Sequence, residues 1–256
     1  MDNKVMCRIC GHKLSAGEVR CPKCGAVYPQ SHTDQFDFYG RLYNDKPTCI
    51  SYLRRERIYE TIVNKILHIS KDKGAMAMLD IGASVGISII LLKQYGEARG
   101  IELDIPELRE WHKFLGIDSA MIYMDKNDNI GNFYARLAKE LNEKIDFIFL
   151  IDTLRCIPLF TLIDIVSRCL KENGIIIIKE INPDNRKIFE HRISGQHGDL
   201  VMYSPKTVNY LARRNKLNVD WYIISSAIDN FALKVPLSIL KLLRPPAYVA
   251  ILRRVV

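Results

Sequence analysis

The chain has 256 residues, enough for one domain of ordinary size and a small appendage. Hydrophobic residues make up 48% and charged residues 26%, which excludes a disordered chain, and no apolar run reaches the ~18 residues of a membrane-crossing helix. The formal net charge of +8 is unevenly spread: residues 1–74 carry 13 basic against 8 acidic side chains, residues 75–180 carry 12 against 16, and residues 181–256 carry 12 against 5.

Three segments follow in chain order: a cysteine-rich knuckle over residues 1–30, a helical connector over 31–74, and an α/β domain over 75–256. The opening MDNKVMCRIC lacks the apolar core of a signal peptide, so a cytoplasmic protein is expected. Four of the seven cysteines stand in the first 24 residues, as Cys7-Arg-Ile-Cys10-Gly11 and Cys21-Pro-Lys-Cys24-Gly25. Each half forms a tight turn that points two thiolates at one metal, and two halves give the tetrahedral Cys₄ site that Zn²⁺ prefers. With four cysteine ligands the site is saturated and structural, which leaves His12 and His32 as bystanders. Three roles stay open for the knuckle: gripping RNA, stabilising the N-terminus or contacting a partner. Lys13, Arg20 and Lys23 make it basic, but Tyr28 is its one aromatic side chain, fewer than a base-stacking surface usually carries. Cys49, Cys156 and Cys169 stand alone and read as small buried hydrophobes.

In the connector, Leu53, Ile58, Ile62, Val63, Ile66 and Leu67 recur at helical spacing and predict a helix from about Tyr52 to Ser70. Tyr39, Tyr43 and Arg57 are candidates for covering a bound ligand, with plain packing an equal reading for the two tyrosines. From residue 75 onward apolar runs alternate with helical patterns, the signature of a parallel α/β sheet. The predicted strands are Ala75–Ile81, Ala98–Leu103, Ala120–Met124, Ile145–Ile151, Ile175–Glu180, Asn218–Ser225 and Tyr248–Arg253. Helices are predicted near Gly86–Tyr95, Pro106–Leu115, Gly131–Asn142, Pro158–Lys171 and Ser204–Lys216, the last opened by a Ser-Pro start signal. Val235-Pro-Leu-Ser-Ile-Leu-Lys-Leu-Leu-Arg-Pro245 is expected to be a helix roofing the ligand pocket rather than one lying on a membrane, so no peripheral membrane contact is expected.

The first predicted strand runs into Asp80-Ile-Gly82-Ala-Ser-Val-Gly86, a turn whose glycines let a ligand approach the backbone. Ser84 and Ile87 stand where a dinucleotide fingerprint starting at Gly82 needs glycines, so that fingerprint is absent. Glu102 closes the second strand, where an acidic residue can accept hydrogen bonds from ribose hydroxyls. With these residues the chain resembles the class I S-adenosylmethionine-dependent methyltransferases. Leu79–Gly86 is similar to their first motif, Ile145–Leu154 to their fourth, and Leu170–Ile178 to their approach to strand five. His197 with Tyr203-Ser-Pro205 resembles a segment of the small-molecule and glycan branch.

The resemblance implies a Rossmann-like, doubly wound seven-stranded sheet in the order 3-2-1-4-5-7-6, strand seven antiparallel. It implies S-adenosylmethionine contacts from Asp80, Gly82, Ala83, Ser84, Gly86, Glu102, Leu103, Asp125 and Asp152. Ser84 departs from the glycine that many members have there. The acceptor pocket is expected beyond the C-terminal strand ends, with His197 and His191 as candidate catalytic bases, since histidine titrates near neutrality. No Asp/Asn-Pro-Pro-aromatic motif follows strand four, which argues against methylation of adenine or glutamine nitrogens. Three functions remain: methylation of O or N on a small molecule or sugar, methylation of RNA gripped by the knuckle and the basic flanks, or non-catalytic binding. The first is favoured by the segment from His197 to Pro205.

Overall fold

The computed structural model describes residues 5–15, 18–29, 35–45, 56–69, 76–157, 161–193, 199–225 and 231–255. Its centre is an eight-stranded sheet of β3 (Met76–Ile81), β4 (Gly96–Leu103), β5 (Met121–Met124), β6 (Ile145–Ile151), β7 (Leu170–Ile181), β8 (Leu217–Ser225), β9 (Phe231–Val235) and β10 (Ala247–Arg254). The spatial order is β5-β4-β3-β6-β7-β10-β8-β9. Pairs from β5 across to β7 are parallel, while β10 runs antiparallel to both β7 and β8. This is the expected order with one strand added: β9 pairs with β8 as an antiparallel edge.

The central strands are apolar on both faces because helices cover both, as parallel sheets require. Ile148, Phe149 and Leu150 of β6 and Ile176, Ile177 and Ile178 of β7 are fully buried. The helices are α1 (Gln35–Asn44), α2 (Glu56–Thr61), α3 (Ile87–Leu92), α4 (Pro106–Phe114), α5 (Ile130–Glu140), α6 (Leu162–Val166), α7 (Arg186–Arg192), α8 (Pro205–Arg214) and α9 (Leu237–Leu243). No helix among the described residues is long and apolar enough to cross a membrane.

Four elements differ from the sequence expectation. The connector helix, described from Glu56, widens at its C-terminal end into a π turn over Ile62–Ile66. There Thr61 Oγ1 donates to the Arg57 carbonyl and the Leu67 N–H reaches the Ile62 carbonyl. Such back-bonding loosens a helix, and the turn keeps Ile62, Val63 and Ile66 buried against the sheet. The helix expected up to Lys171 ends earlier, as α6 and a short 3₁₀ turn, because Leu170 and Lys171 already belong to β7. Pro158, its expected first residue, lies outside the described residues. α7 was not foreseen. α9 forms as a helix but packs on α8 and β8, away from the ligand cavity, so it is not the roof.

A small antiparallel ribbon of β1 (Val5–Met6) and β2 (Lys13–Leu14) stands in the knuckle. The knuckle docks on the sheet domain rather than hanging free. Val27 and Met202 exchange two backbone hydrogen bonds of 3.0 and 2.8 Å. Arg214 donates to the Ile9 carbonyl, Lys206 to the Pro22 carbonyl, and Arg20 pairs with Asp184. Ile9, Leu14 and Ala26 share one buried cluster with Tyr203, Val208 and Leu211.

Candidate functional site

At the C-terminal ends of β3, β4, β5 and β6 lies a cavity of about 650 Å³, a volume suited to a small ligand. The turn after β3 contributes Gly82 and Ser84, and the end of β4 contributes Glu102 and Leu103. The segment after β5 adds Lys126, Asp128 and Asn129, and the end of β6 adds Asp152 and Thr153. α1 lays Phe38, Tyr39, Leu42 and Tyr43 over it.

The turn after β3 is built for close approach. Gly82 has φ +79°, and a Cβ there would stand 2.3 Å from Thr153 Oγ1. Ser84 also takes a left-handed conformation, φ +54°, which explains why glycine suits this position and why serine is strained in it. Three hydrogen bonds hold it: Ser84 N–H to Glu102 Oε2 at 2.7 Å, Tyr43 OH to Ser84 Oγ at 3.0 Å, and His112 Nε2 to the Ser84 carbonyl at 2.7 Å. His112 is fully buried on α4, and a lone histidine on an amphipathic helix gives no sign in the sequence of such a task.

Glu102 faces the cavity while its oxygens accept from the Ser84 and Leu103 N–H groups. Burial pushes its carboxyl up to about 7, against those two hydrogen bonds, which lower it. On the expectation that Glu102 meets the cofactor's ribose, whose hydroxyls donate best to the ionised form, S-adenosylmethionine affinity is expected to rise with pH through about 7. Binding roughly tenfold weaker at pH 6 than at pH 8 follows if only the carboxylate binds. Calorimetric titration across this range checks it, and Glu102→Gln is expected to flatten the profile at the weak end.

Of the other expected cofactor residues, Leu103 and Asp152 line the cavity, and Asp80, Ala83, Gly86 and Asp125 do not. Asp80 is fully buried behind the turn, where its Oδ2 accepts from Tyr59 OH and Ser88 Oγ. It ties α2 and α3 to β3, and burial pushes its carboxyl up to about 6. Ala83 is buried behind the same turn, its Cβ facing Gly100. Gly86, at φ +85°, starts α3, where a Cβ would meet Ile117 and His112. Asp125 is exposed and closes its own turn by accepting from Asn127 N–H, while Asp128, three residues on, reaches the cavity.

Just beyond the end of β6, Arg155 lines the same cavity and is buried among three carboxylates. Its guanidinium lies 3.1 Å from Asp152, 2.6 Å from Glu180 and 2.8 Å from Asp199. Lys179 holds the other Asp152 oxygen at 2.5 Å, and Arg192 approaches Asp199 at 3.4 Å. Arg155→Ala leaves three carboxylates short of their shared cation, so a loss of about 3–5 kcal/mol in denaturant unfolding is expected. Tyr39 and Cys156 both line the cavity here. Burial pushes the Tyr39 phenol well up and the Cys156 thiol up to about 12, so both stay neutral at physiological pH. His191 is exposed on α7 and does not line the cavity. His197 lies outside the described residues.

In the knuckle, the Sγ atoms of Cys7, Cys10, Cys21 and Cys24 lie within 4.8 Å of one another. Cys7–Cys24 and Cys10–Cys21 are 3.6 Å apart. Tetrahedral Zn²⁺ with Zn–S of about 2.3 Å places sulfurs about 3.8 Å apart, so the donor set fits. The backbone supports it: Gly11 N–H bonds to the Cys7 carbonyl and Gly25 N–H to the Cys21 carbonyl, and both glycines have positive φ. Burial pushes the Cys24 thiol well above its ordinary value, a cost that a dication offsets by stabilising thiolates. Tyr28 OH is taken up by Cys7 Sγ and Arg8 N–H, which removes its polar tip from an outward surface.

A family model described as a methyltransferase domain matches residues 52–221. Among solved structures, the chain is similar to a SAM-dependent methyltransferase from Thermotoga maritima described as a possible histamine N-methyltransferase. That match has 13% identity and a TM-score of 0.57 over 86% of this chain and 100% of the other. A SAM-dependent methyltransferase from Archaeoglobus fulgidus matches with 14% identity and a TM-score of 0.55, over 87% and 100%. Geranyl diphosphate C-methyltransferase from Streptomyces coelicolor, in complex with Mg²⁺, geranyl diphosphate and S-adenosyl-L-homocysteine, matches with 14% identity and a TM-score of 0.54, over 89% and 100%. At such identities the likeness is one of fold. No curated protein matches in sequence.

Proposed function

The chain belongs to the methyltransferase-domain family, and on that premise we propose that it transfers a methyl group from S-adenosylmethionine to an oxygen or nitrogen of a small molecule or sugar. The observation that carries this reading is the covered cavity, in which the turn at Gly82–Ser84 and Glu102 share one space with Asp152, Cys156 and Arg192 beneath α1. The apolar and aromatic side chains that α1 lays over the cavity suit an acceptor small enough to sit beneath them. The docked knuckle favours a stabilising role over an RNA grip.

S-adenosylmethionine, when bound, supplies a methyl group on a sulfonium, which passes in line to a nucleophile. Glu102 accepts from the ribose hydroxyls, and the turn at Gly82 admits the ligand against the backbone. The segment at Asp128 faces the adenine end. Phe38, Tyr39, Leu42 and Tyr43 exclude water and press the acceptor toward the transfer line. Arg192 offers its guanidinium to an acidic group on the acceptor. His197 is the proposed base that takes the proton from a hydroxyl acceptor.

The test is S-adenosylhomocysteine release with panels of sugars, small amines and phenols, and RNA. Turnover with a small acceptor is expected, and His197→Ala is expected to remove an ascending pH limb near histidine's usual ~6.5. Turnover with RNA alone overturns the acceptor class, and S-adenosylmethionine binding without turnover on any panel assigns a binding protein instead.

A further inference from the structure

The surface around α9 carries two features that the proposed reaction does not use. One is a cleft of about 460 Å³ between the knuckle and the C-terminal part of the chain. Arg20, Lys206, Lys241 and Arg244 converge on it, against Asp184 as the one acid. Asp184 is engaged by Arg20, and Lys206 by the Pro22 carbonyl. Lys241 and Arg244 have no ion pair among the described residues. Cations held this close repel one another, and an anion with phosphate chemistry relieves that repulsion.

The second feature lies on the helix that supplies Lys241 and Arg244. α9 has the sequence Leu-Ser-Ile-Leu-Lys-Leu-Leu, yet Leu240 is its one buried residue. Leu242 is 75% exposed and Leu243 58% exposed, and Ile239 is exposed beside them. Leu233 of the edge strand β9 is exposed as well, so among the described residues four of the seven exposed large apolar side chains fall on β9 and α9. Exposed leucines scattered singly need no explanation, but a group of them next to a basic cleft does. Nucleic acid or free phosphate would fill the cleft and leave the leucines in water. An anionic phospholipid surface satisfies both, taking the leucines into the acyl boundary and a headgroup phosphate into the cleft.

We propose that α9, with β9 and the basic cleft, docks the protein on an anionic membrane surface. This reverses the expectation that the Val235–Pro245 segment faces inward, because the structure turns Ile239, Leu242 and Leu243 to solvent while Leu240 packs inward.

The experiment is co-sedimentation of the full, zinc-loaded chain with phosphatidylcholine vesicles, with and without phosphatidylglycerol. Binding to the phosphatidylglycerol vesicles alone is expected, weakening as salt is raised. The double variants Leu242→Glu/Leu243→Glu and Lys241→Glu/Arg244→Glu are each expected to weaken that binding by about tenfold or more while S-adenosylmethionine titration stays unchanged. Absence of binding to the anionic vesicles overturns the proposal. So does undiminished binding by the leucine variant, which reduces the contact to phosphate alone. A concentration-dependent dimer in light scattering, lost in the leucine variant, overturns it in favour of a second copy of the chain.

Discussion

Replacing Gly82 with valine is expected to weaken S-adenosylmethionine binding by about 100-fold or more while the protein remains folded. Two costs add. Gly82 sits at φ +79°, where a residue with a Cβ loses roughly 1–2 kcal/mol. The new side chain would also overlap Thr153, whose Oγ1 and Cγ2 stand 2.3 and 2.4 Å from the Cβ position. The overlap pushes the turn into the space the ligand needs, and about 2.8 kcal/mol in total is a factor of about 100. Calorimetry measures the loss, and circular dichroism confirms the sheet. A Gly82→Ala/Thr153→Ala pair is expected to bind better than Gly82→Ala alone, because the second change removes the two closest contacts and leaves only the Cβ of residue 153, 2.9 Å away, beside the backbone strain. Equal affinity of all these variants with the parent protein would show that the ligand does not sit against this turn.

On the reading that the four cysteines hold zinc, its removal is expected to have the largest effect on stability. The knuckle has little apolar core of its own, so the metal's binding energy is its folding energy. The knuckle also contributes Ile9, Leu14 and Ala26 to the buried cluster that contains Tyr203 and Leu211, so losing it exposes the α8 side of the main domain. A chelator, or Cys7→Ser with Cys24→Ser, is expected to cost on the order of 5 kcal/mol or more, a fall in Tm of roughly 10–20 °C for a chain of this size. Scanning calorimetry with and without chelator reads the shift, and metal analysis is expected to give one zinc per chain. A chelated protein that melts unchanged would reduce the cysteine cluster to a packed group of thiols.

The parts of this molecule legible in the sequence were those that local chemistry dictates. The knuckle's four cysteines come together because paired C-x-x-C-G turns direct their thiols inward, whatever the rest of the chain does. Ile145–Ile151 is β6 to the residue, because a run buried on both faces has no competing periodicity. Other signals were ambiguous by nature. In the sequence Gly174, three residues after the predicted helix Pro158–Lys171, reads equally well as a glycine just past a helix end. It sits inside β7, where a Cβ would be 2.9 Å from the Ile145 carbonyl, beside an irregular register with β6. Close backbone approach and helix termination both favour glycine, and sequence does not separate them.

The cavity shows the same division. A motif names residue types at a turn, but side-chain direction depends on tertiary packing. Asp80 and Glu102 both read as cofactor residues, yet Asp80 turns back toward Tyr59 and Ser88 while Glu102 meets the ligand space. His112 and Tyr43 hold Ser84 from α4 and α1, far away in sequence, and Arg155 gathers Asp152, Glu180 and Asp199 from three segments. The amphipathic pattern of α9 announced a helix with an apolar face but not which way that face points.

The central claim is that the cavity above Gly82 and Glu102 holds S-adenosylmethionine. Calorimetric titration of the purified, zinc-loaded protein with S-adenosylmethionine at pH 8 tests it most directly. One site per chain with micromolar affinity, lost in Gly82→Val and weakened in Glu102→Ala, is the predicted result. Absence of heat and of competition by S-adenosylhomocysteine, in a protein shown to be folded and metal-loaded, would contradict it.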